Sequence, residues 1–284
     1  MTRRTSPTVR RRRLAAEMRK LRKESGKSRE DAARFADIAP ATVSRIEAAT
    51  HAPKVADIMA LCKFYGLDDE RTEVLVTLAR QSRQRGWWRK YTDTVPPWFE
   101  VYIGLEEEVA EIRSYQSEAV FGLFQTEAYA RSILLADESV SPDEGERRIE
   151  VRMKRQEILT NSDRPKLWII QSEASLRYEV GGRSVMREQL QHLAEISRSR
   201  SATIQILPFS VGAHPSMDGA FDILSFPDRR DPDVVYLQYR QGSIYLEDSS
   251  EIDDYSQLFD QLIARALSPD ESRSLINRIA GEMG

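Results

Sequence analysis

The most specific chemistry in this chain is offered by Arg45, in the stretch 40-PATVSRIEAA-49. A guanidinium fork presents two parallel N–H donors, which match the O6 and N7 acceptors of a guanine edge. Such a pair discriminates by about 1–3 kcal/mol. The neighbours suit the same kind of surface. Ser44 can donate or accept, Ala41 can touch a thymine methyl, and Pro40 stands at the leading end beside them. Thr42 is better placed to fix a phosphate, as are Arg29, Thr50 and His51. The run Arg10, Arg11, Arg12 and Arg13 is either a phosphate-contacting arm or a solubilising tail. Val43 and Ile46, three residues apart, face the other way and mark the side to be buried.

These side chains can act together only if helices hold them. A helical pattern runs from Val9 to Glu24, with Leu14, Met18 and Leu21 as its apolar stripe and Gly26 ending it. Ser28 is an N-cap for a short second helix, with Glu30 and Asp31 in its first turn. Pro40 suits the first position of a third helix reaching about Ala48, since its missing N–H costs nothing there. Two more helices are expected at about Val55–Tyr65 and Asp69–Gln84. The pair spanning Ser28 to Glu47 reads as helix, three-residue turn, helix, with the small Ala33 where the two approach.

The charge distribution agrees. Residues 1–86 carry 20 Lys and Arg against 11 Asp and Glu, an excess of nine positive charges. The remainder is acidic enough to leave the whole chain at −3, so the net value conceals a basic footprint at the front. No apolar run is long enough to span a bilayer, and the basic start MTRRTSPTVRRRR lacks the apolar stretch of a secretory signal. The single cysteine, Cys62, fits an inert core thiol and a reducing cytoplasm, so a cytoplasmic, nucleoid-associated protein is expected. His51, His192 and His214 fall in separate segments without metal-ligand spacing, and neither HExxH nor GxSxG occurs. Catalysis, a metal and a cofactor are therefore not expected.

Four regions follow from this reading: a disordered basic tail at 1–9, a helical domain at 10–85, an ordered aromatic connector at 86–104 and an α+β domain at 105–284. The connector holds three of the four tryptophans, Trp87, Trp88 and Trp98, which are expected to pack between domains. "GLEEEVAEIRSY" reads as helical. Thr126 caps a further helix, and "SPDE", at 141–144 and again at 268–271, opens two more. "KLWIIQSEA", "ATIQILPF", "AFDILSFP", "DVVYLQY" and "GSIYLED" are short strand-like runs, with a helix, "SVMREQLQHLAEIS", between the first and second. They predict a roughly five-stranded, mainly antiparallel sheet packed against helices, its last three strands forming a meander.

"GKSREDAARFADIAPATVSRIEAATHAP" resembles the phage-repressor (Xre-type) helix-turn-helix, above all in "TVSRIE". The resemblance implies a lambda-repressor-like five-helix domain whose second paired helix enters the major groove of double-stranded DNA. "GWWRKYTDTVPPWFEVYIGLEEEVAEIRSYQSEAVFGLFQTEAYARSIL" and "QILPFSVGAHPSMDGAFDILSFPD" resemble the C-terminal domain of a group of actinomycete regulators. That likeness implies transcriptional regulation, in the manner of toxin–antitoxin pairs, with a small partner protein encoded nearby. A homodimer is expected because one recognition helix touches few base pairs, and an unknown small-molecule effector would suit the second domain. The alternative is an antitoxin-like protein that sequesters its partner and autoregulates. Asp37 and Ala49 stand where the family usually has glycine. Ala39 replaces the usual Ser or Thr cap, and Pro40 replaces a polar base-reading residue.

Overall fold

The computed structural model describes residues 7–83, 86–199, 202–228 and 231–283. The chain divides into two compact units. One holds the residues up to Arg89 with Gly104–Glu108 and Asp228–Asp231; the other holds Lys90–Ile103, Val109–Pro227 and the residues from Pro232 onward.

The first unit contains α1 (Pro7–Glu24), α2 (Arg29–Phe35), α3 (Pro40–Glu47), α4 (Val55–Phe64) and α5 (Asp69–Ser82). Pro7 to Val9 already belong to α1, so the expected tail is helical in its last residues, and the rest of it lies outside the described residues. Ser28 caps α2 by accepting from the Asp31 amide, and Asp68 caps α5 by accepting from Arg71. The core joins Leu14, Met18, Val43, Ile46, Ile58 and Leu61. Cys62 is fully buried among them, and burial pushes its thiol up to about 11, which makes it unreactive.

The connector residues form a 3-10 turn at Trp87–Tyr91, which begins in the first unit, and then α6 (Pro97–Glu106), whose residues up to Ile103 belong to the second. Trp88 is buried. Helices α7 (Glu127–Leu134), α8 (Pro142–Arg155), α9 (Glu173–Arg177), α10 (Arg183–Ile196), α11 (Ser249–Ile263) and α12 (Pro269–Glu282) surround a sheet. Thr126 caps α7 as expected. Ser141 caps α8, while at α12 Ser268 and Glu271 form the full reciprocal capping box.

The sheet has six strands: β1 (Glu111–Gln116), β2 (Lys166–Ser172), β3 (Ala202–Leu207), β4 (Phe221–Ser225), β5 (Val234–Tyr239) and β6 (Gly242–Leu246). Their spatial order is β3-β2-β1-β4-β5-β6. The β4-β5-β6 meander is antiparallel, as expected. However, β1-β2 and β2-β3 pair in parallel, which makes the sheet mixed and six-stranded rather than mainly antiparallel and five-stranded. The missed strand is β1, which lies inside the segment expected to be helical. Helix α6 stops at Glu106, and Glu111–Gln116 pairs with β2 on one side and β4 on the other. Its polar Arg113, Ser114 and Gln116 hide the strand signal, and only two flanking strands satisfy its backbone on both edges. The parallel pairs are bridged by helices, α7 and α8 in one crossover, α9 and α10 in the next. Tyr115, Ile170, Phe221, Ile223 and Val235 pack with Phe259 and Leu262 of α11.

Candidate nucleic-acid interface

Helix α3 has two distinct sides. Val43, Ile46 and Glu47 are buried, while Pro40, Ala41, Arg45 and Ala48 are exposed and Thr42 and Ser44 are half-buried at the margins. At 100° per residue, positions 41, 45 and 48 share one face and positions 43, 46 and 47 the opposite one. The four residues expected at base edges, Pro40, Ala41, Ser44 and Arg45, thus all reach the surface of the same short helix. The Arg45 guanidinium lies back along it, donating to the Ala41 carbonyl (3.3 Å) and to Thr42 Oγ1 (3.2 Å). Both contacts are exposed and can be exchanged for stronger acceptors on a partner.

Turn geometry sets the direction of α3. Helices α1 to α4 each end in a 6→1 bond closed by a left-handed residue, the Schellman arrangement: Lys27 to Arg22, Ile38 to Ala33, Thr50 to Arg45 and Leu67 to Cys62. Glycines 26 and 66 supply the positive φ for α1 and α4. Asp37 (φ 52°) and Ala49 (φ 56°) supply it around α3, where the family resemblance led one to expect glycine. Asp tolerates this region, but Ala pays about 1–2 kcal/mol for it. At the other end, Ala39 makes no side-chain cap, and Pro40 sits at the first turn of the helix.

Glu47, which sequence reasoning passed over, is the anchor. It is only 2% exposed, yet its carboxylate accepts from Arg22 Nε (2.5 Å), Arg22 Nη2 (3.1 Å) and Arg29 Nε (2.8 Å). Its carbonyl, at the helix end where orphan acceptors gather, accepts from Arg19 Nη2 (2.5 Å). Burial alone would raise the Glu47 pKa, but the two guanidinium partners outweigh it and hold the carboxyl below its ordinary range. Helices α1, α2 and α3 are thereby joined through one buried charge. The available signal was spacing: Glu47 lies four residues after Val43, on the buried face.

The latch changes the reading of Arg29. Instead of being aimed outward at a phosphate, its Nε is committed to Glu47, although the side chain stays 45% exposed. The arginine run is also not a free arm or tail. Arg10, Arg11, Arg12 and Arg13 lie on α1 and are all partly buried. Arg11 donates to the Ser82 carbonyl (3.5 Å) and Arg13 to Asp228 Oδ2 (2.9 Å). Burial lowers the pKa of Arg10, against the pull of Glu108; it also lowers that of Arg11, with Arg89 adding to the effect.

Thr50 donates its hydroxyl to the Arg45 carbonyl (3.2 Å), which closes the C-terminal end of α3. His51 follows it, half-buried, with Nδ1 lacking a hydrogen-bond partner. Burial first, then the cations Arg45 and Arg11, hold its imidazole below the usual range, while Asp57 opposes them. The structure therefore keeps Thr42, Arg45, Thr50 and His51 along α3 and the turn that follows it, and gives Arg29, Arg11 and Arg13 partners within the chain.

Among the described residues no group of three His, Cys, Asp or Glu could hold a metal ion, and no helix is long and apolar enough to cross a membrane. Residues 13–75 match the family described as "Helix-turn-helix domain". Residues 99–278, well over half of the chain, match the family described as "Domain of unknown function (DUF5753)". No curated protein and no solved structure matches the chain.

Proposed function

The chain belongs to the DUF5753 family and carries a helix-turn-helix domain ahead of that region; from this premise we propose that it is a sequence-specific transcriptional regulator acting by binding rather than by catalysis. The observation that carries the reading is α3 itself. Its apolar face is pinned by Val43, Ile46 and the Glu47 latch, and its opposite face offers Ala41, Ser44 and Arg45 to a partner. The helix is short enough for its N-terminal half to enter a major groove, and its exposed cation matches a guanine edge. Thr42, Thr50 and His51 contact phosphates, and the excess of nine positive charges in residues 1–86 supplies salt-dependent attraction.

The α+β domain makes the chain a homodimer and binds a small partner protein or an effector. Two recognition helices then read two half-sites, and a ligand that alters their spacing changes affinity by about 1–3 kcal/mol. Genome-wide capture of the chain in its native cytoplasm tests this. Enrichment at a set of promoters sharing a two-fold motif is the expected result. Occupancy confined to its own promoter would replace this reading with the antitoxin-like one, and no enrichment anywhere would end both.

A further inference from the structure

We propose that two copies of the chain pair edge to edge through β6, antiparallel about Ile244, so that their sheets run on into one. This rests on the homodimer arm of the function proposed above and gives that arm its surface.

The two borders of the sheet differ. At β3 the chain closes its own edge: the Ile206 carbonyl accepts from the Leu267 amide (2.9 Å), and the Ile206 amide donates to Ser272 Oγ (2.9 Å) on α12. At the other border β6 pairs only with β5, and among the described residues no hydrogen bond to the Gly242–Leu246 backbone comes from elsewhere in the chain. Tyr239 and Gly242 close a two-residue turn, so they form a hydrogen-bonded pair, and alternation makes Leu237 with Ile244 the next. The N–H and C=O groups of Ser243 and Tyr245 therefore point away from β5. An unpaired row of this kind is a template for another strand.

Nothing in the strand blunts that template. "GSIYL" holds no charge and no proline, the usual guards of an open edge. Tyr245 lies on one face, where its hydroxyl donates to the Trp98 carbonyl (2.6 Å). Ile244 lies on the other, 47% exposed, beside the half-buried Leu237 and Leu246 that pack on the core under α11.

The strand is complementary to itself. Two copies related by a two-fold axis present the same patch to each other, and here that makes the pairing antiparallel. Their outward groups must meet, so the axis passes through a residue rather than between two. With the axis at Ile244, Ser243 of each copy bonds to Tyr245 of the other, and the two Ile244 side chains touch. Leu246 comes beside Gly242, where the exposed ring of Tyr239 already lies. An axis at Tyr245 would instead set Gly242 against Asp248 and bring the start of α11 into the ladder. The flanks agree with this arrangement. Arg240 precedes the strand and Glu247 and Asp248 follow it, so antiparallel pairing keeps the acidic ends apart, whereas parallel pairing would set them side by side. Arg240 keeps its partner Asp137 (3.1 Å) and Asp248 keeps the cap of α11, so the pairing draws on no new ion pair.

Oxidative crosslinking of the full-length chain tests the register. The two Cα atoms at the axis would stand about 4.5 Å apart, inside the range that a disulfide spans. Ile244→Cys should therefore crosslink into dimers under copper–phenanthroline. Gln241→Cys, equally exposed but facing Glu247 of the other copy, should not, and the native chain, with Cys62 buried, should stay uncrosslinked. A five-residue edge buries less than a standard interface, so sedimentation equilibrium should give a dimer that dissociates in the micromolar range. Ile244→Lys sets like charges at the axis and should weaken that dimer at least tenfold. Thermal melts identify a variant that fails to fold, and the other then decides. A dimer that Ile244→Cys does not crosslink and Ile244→Lys does not weaken overturns the β6 pairing and leaves the homodimer reading standing. Equal crosslinking through Gln241→Cys overturns the register. A chain that stays monomeric well above micromolar concentration overturns both the pairing and the homodimer, and leaves the border to a strand from another protein. DNA binding by α3, measured on the same preparation, is a separate readout that none of these results decides.

Discussion

The two units use arginine in opposite ways. In the helical unit, Arg22 and Arg29 are committed inward to a buried carboxylate, and Arg45 is exposed on α3. In the α+β unit, Arg152 and Arg155 line a concave, aromatic cavity. A cation on a protruding helix can follow a groove of repeated phosphates and base edges. A pair of cations inside the fold is instead held by its own chain, Arg152 on Gln125 and Arg155 over Phe99 and Tyr102. Both environments are built from ordinary helices, so what separates a reading head from a pocket is where each guanidinium finds its partner.

The largest test of this contrast removes the inward commitment. Glu47→Ala should destabilise the helical unit by about 3 kcal/mol, because Arg22, only 14% exposed, is left without its counter-charge; Arg29 is half exposed and adds little. Urea unfolding should show the loss in the first unit's transition and leave the second's in place. A single shared shift of both would contradict two independent units. Acid should imitate the substitution. The Glu47 pKa is depressed in the fold, so its contribution is complete above the ordinary carboxylate range and is lost as pH falls through the lowered value. Melting of the helical unit below about pH 4 should therefore be steeper in the native chain than in Glu47→Gln.

Next in size is the outward cation. Arg45→Ala should cost about 1–3 kcal/mol in specific DNA affinity and relax preference at one base position, with no change in melting temperature. Fluorescence anisotropy against a panel of single-base variants measures it, and an unaltered preference would take Arg45 out of the readout. Arg11→Ala should behave in the reverse manner. Because Arg11 is packed against the Ser82 carbonyl, stability should fall by about 1 kcal/mol while the slope of log affinity against log salt stays the same. A reduced slope would restore the arm reading for that residue. The smallest effect is a gain. Ala49→Gly should stabilise the helical unit by about 0.5–1 kcal/mol by relieving the positive φ after α3, leaving site preference untouched.

How much could be read before folding depends on the range of each interaction. Ser28, Thr126 and the two "SPDE" segments act over three residues and start helices where expected. Val43 and Ile46 mark the buried side of α3 by spacing alone, and the strand-like runs from β2 to β6 are apolar enough to be seen unaided. The exposed side of α3, which carries Ala41 and Arg45, was legible for the same reason. The Arg29–Glu47 pair was not legible because Glu47 is eighteen residues away and helical periodicity does not pair charges across a turn. The arginine run resembled a free tail because nothing local indicates that Ser82 and Asp228 come back to it.

The amino-acid order by itself determined the helix pair, its turn, its exposed cation and the change to strand periodicity, since each is a property of a few adjacent residues. Only tertiary structure decided that "EIRSYQ" is a central strand, that Glu47 is a latch and that two arginines meet at Gly122. In each case the deciding partner is distant along the chain, so its effect exists only after the backbone has closed the loop between them.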